Sequence, residues 1–117
     1  MQGNSDLIAQ LFEVIECREW GSLKDFFTVD VVYNRPGYEP MYGITAVHDF
    51  YLRRRSVAQG RHTIESIVTE VDAGFCWGTF VGTSTRGHPL KETFADWYQF
   101  HNGKIRARRS FFYRRAI

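Results

Sequence analysis

The residue best placed to do chemistry is Asp96. It stands between Phe94 and Tyr98 in a run of alternating character, and the next such run carries Arg106, Arg108 and Arg109. Alternation puts Phe94, Asp96 and Tyr98 on one face of a strand. A carboxylate on a sheet face that closes over an apolar interior is costly unless it is paired or protonated. The Asn102-Gly103 turn brings the arginines back against it, in one of two registers. A two-residue turn pairs His101 with Lys104 and sets Asp96 opposite Arg109. A three-residue loop with Gly103 left-handed pairs Phe100 with Lys104. That second register sets Asp96 opposite Arg108, Tyr98 opposite Arg106 and Phe94 opposite Ser110. The choice reverses every side chain of the last strand; the second is adopted. An Asp96–Arg108 pair is either an acid–base or ligand-orienting device, or a buried ion pair tying two strands. Arg106 and Tyr98 then belong to the pocket wall or mouth.

Other reactive side chains contribute less. Glu92 shares the face of Asp96 but lies about 13 Å along the strand, too far for a close carboxylate pair. His62 opens a strand and titrates near neutral pH, so it is a candidate base as well as an edge residue. His48, His88 and His101 fall mid-helix or in turns and read as surface residues. Cys17 and Cys76 match neither a disulfide framework nor a metal spacing, and no glycine-rich phosphate loop occurs. No metal and no cofactor are expected.

The elements that position these groups follow from periodicity. Leu7, Ile8, Leu11, Phe12 and Ile15 predict a first helix, with Asn4 and Ser5 as candidate caps. A short second helix starts at Ser22, and Val31-Val32-Tyr33 is a brief strand. A third helix is expected over about residues 45–56, burying Val47, Phe50 and Tyr51 and ending on Arg53-Arg54-Arg55. Four long strands follow at about 62–73, 75–86, 90–101 and 104–115. Helices first and an antiparallel meander after them predict an α+β fold with helices on one face of the sheet.

Composition bounds the rest. The 117 residues suit one domain, residues 1–117, without linkers or repeats. With 3 Trp, 6 Tyr and 10 Phe the chain is no disordered segment. The net charge of +2 is no nucleic-acid tail's, although eight acidic and three basic residues precede position 51 and five acidic and twelve basic follow it. No apolar run approaches a membrane span, and the acidic N-terminal stretch is unlike a signal peptide. Neither a nucleic-acid nor a membrane partner is expected, and the thiols suggest a cytoplasmic setting. The aromatics sort into three surfaces. Phe12, Trp20, Phe50 and Tyr51 join the helical cover; Trp77, Phe94, Tyr98, Phe100 and Phe112 point inward; Trp97, Phe80, Phe111 and Tyr113 point outward, where a homodimer would cover them.

The run Phe26-Phe27-Thr28-Val29-Asp30-Val31-Val32-Tyr33-Asn34-Arg35-Pro36-Gly37-Tyr38-Glu39-Pro40-Met41-Tyr42-Gly43 and the following helix with Phe50-Tyr51 resemble bacterial ketosteroid isomerases. The later Ala95-Asp96-Trp97-Tyr98-Gln99-Phe100-His101-Asn102-Gly103-Lys104-Ile105 is similar to a segment of the same family. Together they suggest the nuclear-transport-factor-2-like superfamily, in its SnoaL-like or ketosteroid-isomerase-like branch. The resemblance implies a cone-shaped curved sheet (a cystatin-like roll) covered by three helices, an apolar pocket inside, and a dimer through the back of the sheet. It also sets limits. The family's Asp base matches Asn34, its oxyanion Tyr matches Leu11, and its protonated Asp donor matches Asp96; that last case is one the physics of buried carboxyls already describes. One of three catalytic groups is kept, so a ketosteroid-isomerase proton shuttle is not expected. The function expected is that of an isomerase, cyclase or lyase on a small apolar oxygenated molecule. Asp96, Arg108 and Asn34 would act on it, with Phe50, Tyr51, His62 and the inward aromatics around it. The alternatives are a non-catalytic ligand-binding or association module, and water activation of the epoxide-hydrolase type, for which no second inward Asp is evident.

Overall fold

The computed structural model describes residues 3–113. Helix α1 (Asn4–Glu16) buries Ile8, Leu11, Phe12 and Ile15, one stripe at helical spacing. Neither expected cap acts as one: Gly3 is the N-cap and no side chain caps the helix. The Asn4 amide instead donates to the carbonyls of Glu70 and Val71, both at 3.0 Å, and so ties the helix to the sheet. A 3-10 turn (Trp20–Asp25) follows, then β1 (Phe27–Asn34), β2 (Met41–Tyr42) and a short α2 (Ile44–Asp49). Strands β3 (Val57–Thr69), β4 (Ala73–Ser84), β5 (Pro89–His101) and β6 (Lys104–Phe112) complete the described elements. The expected single helix over 45–56 is therefore two pieces. α2 passes into a π-helical turn at Phe50–Arg54, closed by the Arg55 amide donating to the Phe50 carbonyl at 2.9 Å.

The six strands form one curved, unclosed sheet in the order β2-β1-β6-β5-β4-β3. All neighbours are antiparallel except β1 and β6, which run parallel. The helices lie on the concave side, and the core between them includes Leu11, Leu23, Val31, Tyr33, Phe50 and Ile105. Tyr33, on β1, is fully buried there.

The β5–β6 hairpin departs from both expected registers. Its tip is the two-residue kind: Asn102 (φ 50°) and Gly103 (φ 77°) are both left-handed, and His101 pairs with Lys104. A bulge then takes up Arg106, because Phe100 pairs with Ile105 while Gln99 pairs with Ala107. Asp96 consequently faces Ser110, and Arg108 faces Tyr98. The bulge lets Ile105 and Arg108, three residues apart, both point inward, which strict alternation forbids.

Three further side chains sit where the alternation did not place them. Trp77, expected inside, pairs with Ala95 on the outer face and is 48% exposed. Phe80, expected at a dimer interface, is 3% exposed in the core. Its ring lies against Gly60, where an added Cβ would fall 2.0 Å from the ring. Arg106, expected at the pocket, is the exposed bulge residue. Among the described residues, no helix is long and apolar enough to cross a membrane.

Candidate active site

Inside the cone, β5, β6 and the π-helical turn bring four polar side chains together. Arg108 donates to Asp96 Oδ2 through Nη2 at 2.8 Å and Nε at 3.1 Å. The Tyr98 hydroxyl donates to the same oxygen at 2.9 Å. All three bonds converge on Oδ2, so Oδ1 is the carboxylate oxygen left for another partner. The remaining Arg108 nitrogen, Nη1, donates to the Tyr51 hydroxyl at 2.7 Å. Because Tyr51 accepts there, its own O–H proton is free to donate elsewhere. Asp96 and Arg108 are 1% and 3% exposed, so the pair is fully desolvated.

Electrostatics follow from that burial. Burial opposes the charge on Arg108, and Asp96 with three tyrosines more than offsets it, holding the guanidinium well above its ordinary pKa. Burial raises the Tyr51 phenol against the pull of Arg108, so the hydroxyl keeps its proton at neutral pH. Tyr33 goes the other way. Burial would raise it, but Arg108 and Arg35 outweigh that effect and its pKa ends below the ordinary value. Its hydroxyl is 2.7 Å from Ser110 Oγ and accepts from Arg35 Nη1 at 3.0 Å.

Asp96, Arg108, Tyr51 and Ser110 border a cavity of about 20 Å³. That is room for about one water. Phe12, Ile15, Phe80, Phe94 and Phe112 supply its apolar walls, and Arg35, Arg55 and His62 its remaining polar ones. Burial, then Arg55, Arg108 and Arg35, push the His62 pKa down to about 3. His62 is therefore neutral at pH 7, although Nδ1 lies 3.3 Å from Glu16 Oε1. The contact is a hydrogen bond donated by Nδ1–H rather than an ion pair, and the His62 backbone N–H donates to the same oxygen. Among the described residues, no His/Cys/Asp/Glu group could hold a metal ion.

The expected site residues divide three ways. Asp96, Arg108, Tyr51, Phe94, Phe112 and His62 line the cavity. Tyr98 and Phe50 are buried one layer behind it, Tyr98 against Asp96 and Phe50 beneath the Arg35 guanidinium at 5.3 Å. Asn34, Trp77 and Arg106 are elsewhere. Asn34 borders a surface depression with Arg109 and Pro36, because the inward residues of β1's end are Tyr33 and Arg35. The position expected to hold an orienting amide thus belongs to a guanidinium. Arg35 and Arg55 are the charged cavity residues that the sequence pattern does not single out. Arg53-Arg54-Arg55 reads as a charged helix end, and the structure splits it. Arg53 and Arg54 lie 2.6 and 3.6 Å from Asp49, while the π-helical turn shifts the phase and sends Arg55 inward. A basic residue just past a Phe-Tyr core pair is the available signal.

The model of the SnoaL-like domain family matches residues 8–108. The chain belongs to this family. Solved structures agree on the fold. An NTF2-like protein of unknown function from Burkholderia pseudomallei superposes with a TM-score of 0.84 at 17% identity, over 96% of this chain and 92% of that one. A SnoaL-like polyketide cyclase from Agrobacterium tumefaciens gives 0.82 at 18% identity, over 96% and 92%. An epoxide hydrolase of M. tuberculosis gives 0.79 at 13% identity, over 92% and 80%. No curated protein matches the chain. At such identities the likeness of this SnoaL-like chain extends to the fold, and the fold alone serves several chemistries.

Proposed function

We propose that this SnoaL-like protein is an acid–base enzyme of the isomerase, cyclase or lyase type acting on a small, largely apolar, oxygenated molecule. The observation that carries the reading is the asymmetry of Asp96: three donors hold Oδ2, none of these bonds goes to Oδ1, and Asp96 borders a cavity walled by aromatic rings. A held carboxylate with one open oxygen is a positioned base for a proton on carbon beside a carbonyl. The Tyr51 hydroxyl, turned by the Arg108 bond, donates to the oxygen on which charge develops. Substrate enters by displacing the partly exposed rim side chains Arg55 and Phe112, because the cavity as it stands holds only about 20 Å³. The epoxide-hydrolase alternative is weaker, since Asp96 is the one acid among the described cavity-lining residues.

The test uses α-proton exchange of small cyclic ketones in D2O, followed by NMR. Wild-type protein accelerates exchange for at least one ketone. Asp96→Leu/Arg108→Met replaces the ion pair with apolar groups of similar size, a change that buried pairs tolerate. It should fold and lose at least 100-fold of the acceleration. Exchange that persists in the folded double variant, or wild type inert toward every ketone, overturns the reading.

The proposal includes a second copy of the chain on the outer sheet face. Trp77, Phe75 and Phe111 are 48%, 56% and 48% exposed there, and Trp97 lies half-buried among them. Phe80 has no part in that surface.

A further inference from the structure

Three guanidiniums border the cavity, those of Arg35, Arg55 and Arg108, and among the described lining residues Asp96 is the only carboxylate. Two of the three guanidiniums are committed. Arg108 is engaged by Asp96 and Tyr51. Arg35 donates to Tyr33 and lies over the Phe50 and Phe112 rings at 5.3 and 4.8 Å.

Arg55 differs. Its guanidinium lies over the Tyr51 and Phe80 rings at 5.4 and 5.6 Å, yet its Nε is buried with no hydrogen-bond partner. No described acid pairs with it. Glu16 is engaged by His62, and Asp49 is engaged by Arg53 and Arg54. Buried polar groups of native proteins are almost always satisfied, and an orphaned donor in a cationic wall calls for an acceptor from outside the chain. Burial and the neighbouring Arg35 and Arg108 charges lower the Arg55 pKa to about 10, the direction expected where a counter-ion is missing.

We propose that the ligand of this cavity is an organic anion, a small carboxylate or enolate-type acid whose charged oxygen bonds Arg55 Nε–H while its apolar body lies among the aromatic rings. The inference rests on the reading that the cavity takes a small oxygenated molecule, and it narrows that class to acids. Arg55 is a binding residue here and not a proton carrier; Asp96 is left to act on the other end of the ligand. Because Arg55 sits at the partly exposed rim, an incoming acid meets it before it meets Asp96.

Benzoate and its neutral isostere benzamide separate charge from shape. Binding is followed on the full chain by calorimetry and by the side-chain Nε–H resonance of Arg55. Benzoate should bind at least tenfold more tightly than benzamide and move the Arg55 resonance to a hydrogen-bonded position. Arg55→Gln should remove that preference, and Arg55→Lys, which keeps the charge, should restore part of it. Equal affinity for acid and amide, or an acid preference unchanged in Arg55→Gln, overturns the inference while leaving ketone exchange intact. Acid binding that depends on Arg55 in a protein inert toward ketones supports the inference and fails the enzymatic reading. Binding of neither probe overturns the acid inference.

Discussion

Arg108 and Arg55 border the same cavity and have opposite surroundings. At the floor, Arg108 is 3% exposed and makes hydrogen bonds to Asp96 and Tyr51 through all three nitrogens. At the rim, Arg55 has two ring faces for company and a buried Nε without a partner. The floor is complete within the chain, which is what a held catalytic group requires. The rim is incomplete, which is what a ligand subsite looks like without its ligand. A charged residue near a cavity is thus assigned by its hydrogen-bond partners more than by its charge.

Stability gives the largest contrast between floor and rim. Arg108→Met leaves the Asp96 carboxylate buried without its counter-charge and should cost about 3–5 kcal/mol. Arg55→Met removes no hydrogen bond from the described structure and should change stability by less than about 1 kcal/mol. Urea denaturation of the two variants measures both values. Equal losses would erase the distinction between floor and rim.

A pH titration probes the same cationic wall. The folded His62 pKa of about 3 lies below the ordinary 6.5, so the native state resists protonating a group that the unfolded chain protonates readily. The stability from this group is full above pH 6.5 and falls as the pH drops toward 3. Between pH 7 and 5 the loss is about 2 kcal/mol. His62→Gln should flatten this part of the stability profile. Arg55 is the foremost charge acting on His62 after burial, so Arg55→Met should raise the folded His62 pKa. The fall then still begins near the unfolded pKa, but it ends at a higher pH and is shallower. A profile unmoved by either substitution would separate His62 from the cationic wall.

The smallest effect is expected on the outer face. Phe111→Lys lies away from floor and rim and should move monomer stability by no more than about 0.5 kcal/mol. It should nonetheless convert dimer to monomer in analytical ultracentrifugation. Wild type that sediments as a monomer would remove the second copy from the proposal.

Much of the floor is legible in the sequence. Alternation in Phe94-Ala95-Asp96-Trp97-Tyr98 puts the carboxylate on an inward face, and the Asn102-Gly103 turn returns arginines to it. The rim is not legible. Arg55 ends a run of three like residues, and only a π-helical turn separates its direction from that of Arg53 and Arg54. Asn34 and Arg35 differ by one step in the phase of β1, which tertiary packing around Tyr33 decides. Trp77 and Phe80 exchange faces for the same kind of reason, since Phe80 needs the bare backbone of Gly60 on the neighbouring strand.

Local sequence is enough for the α+β class, the helix-first order, the four long strands, the SnoaL-like resemblance and Asp96 with its arginine. The resemblance rests on the motif runs around Tyr33 to Tyr51 and Asp96 to Ile105; the others rest on periodicities and turns that act within about ten residues of the chain. Only the folded chain settles which arginine is engaged and which is left over. The Arg106 bulge, the π-helical turn and the parallel β1–β6 pair each shift phase by a residue or join distant strands. Their energies depend on what packs across the sheet, and no local pattern carries that information.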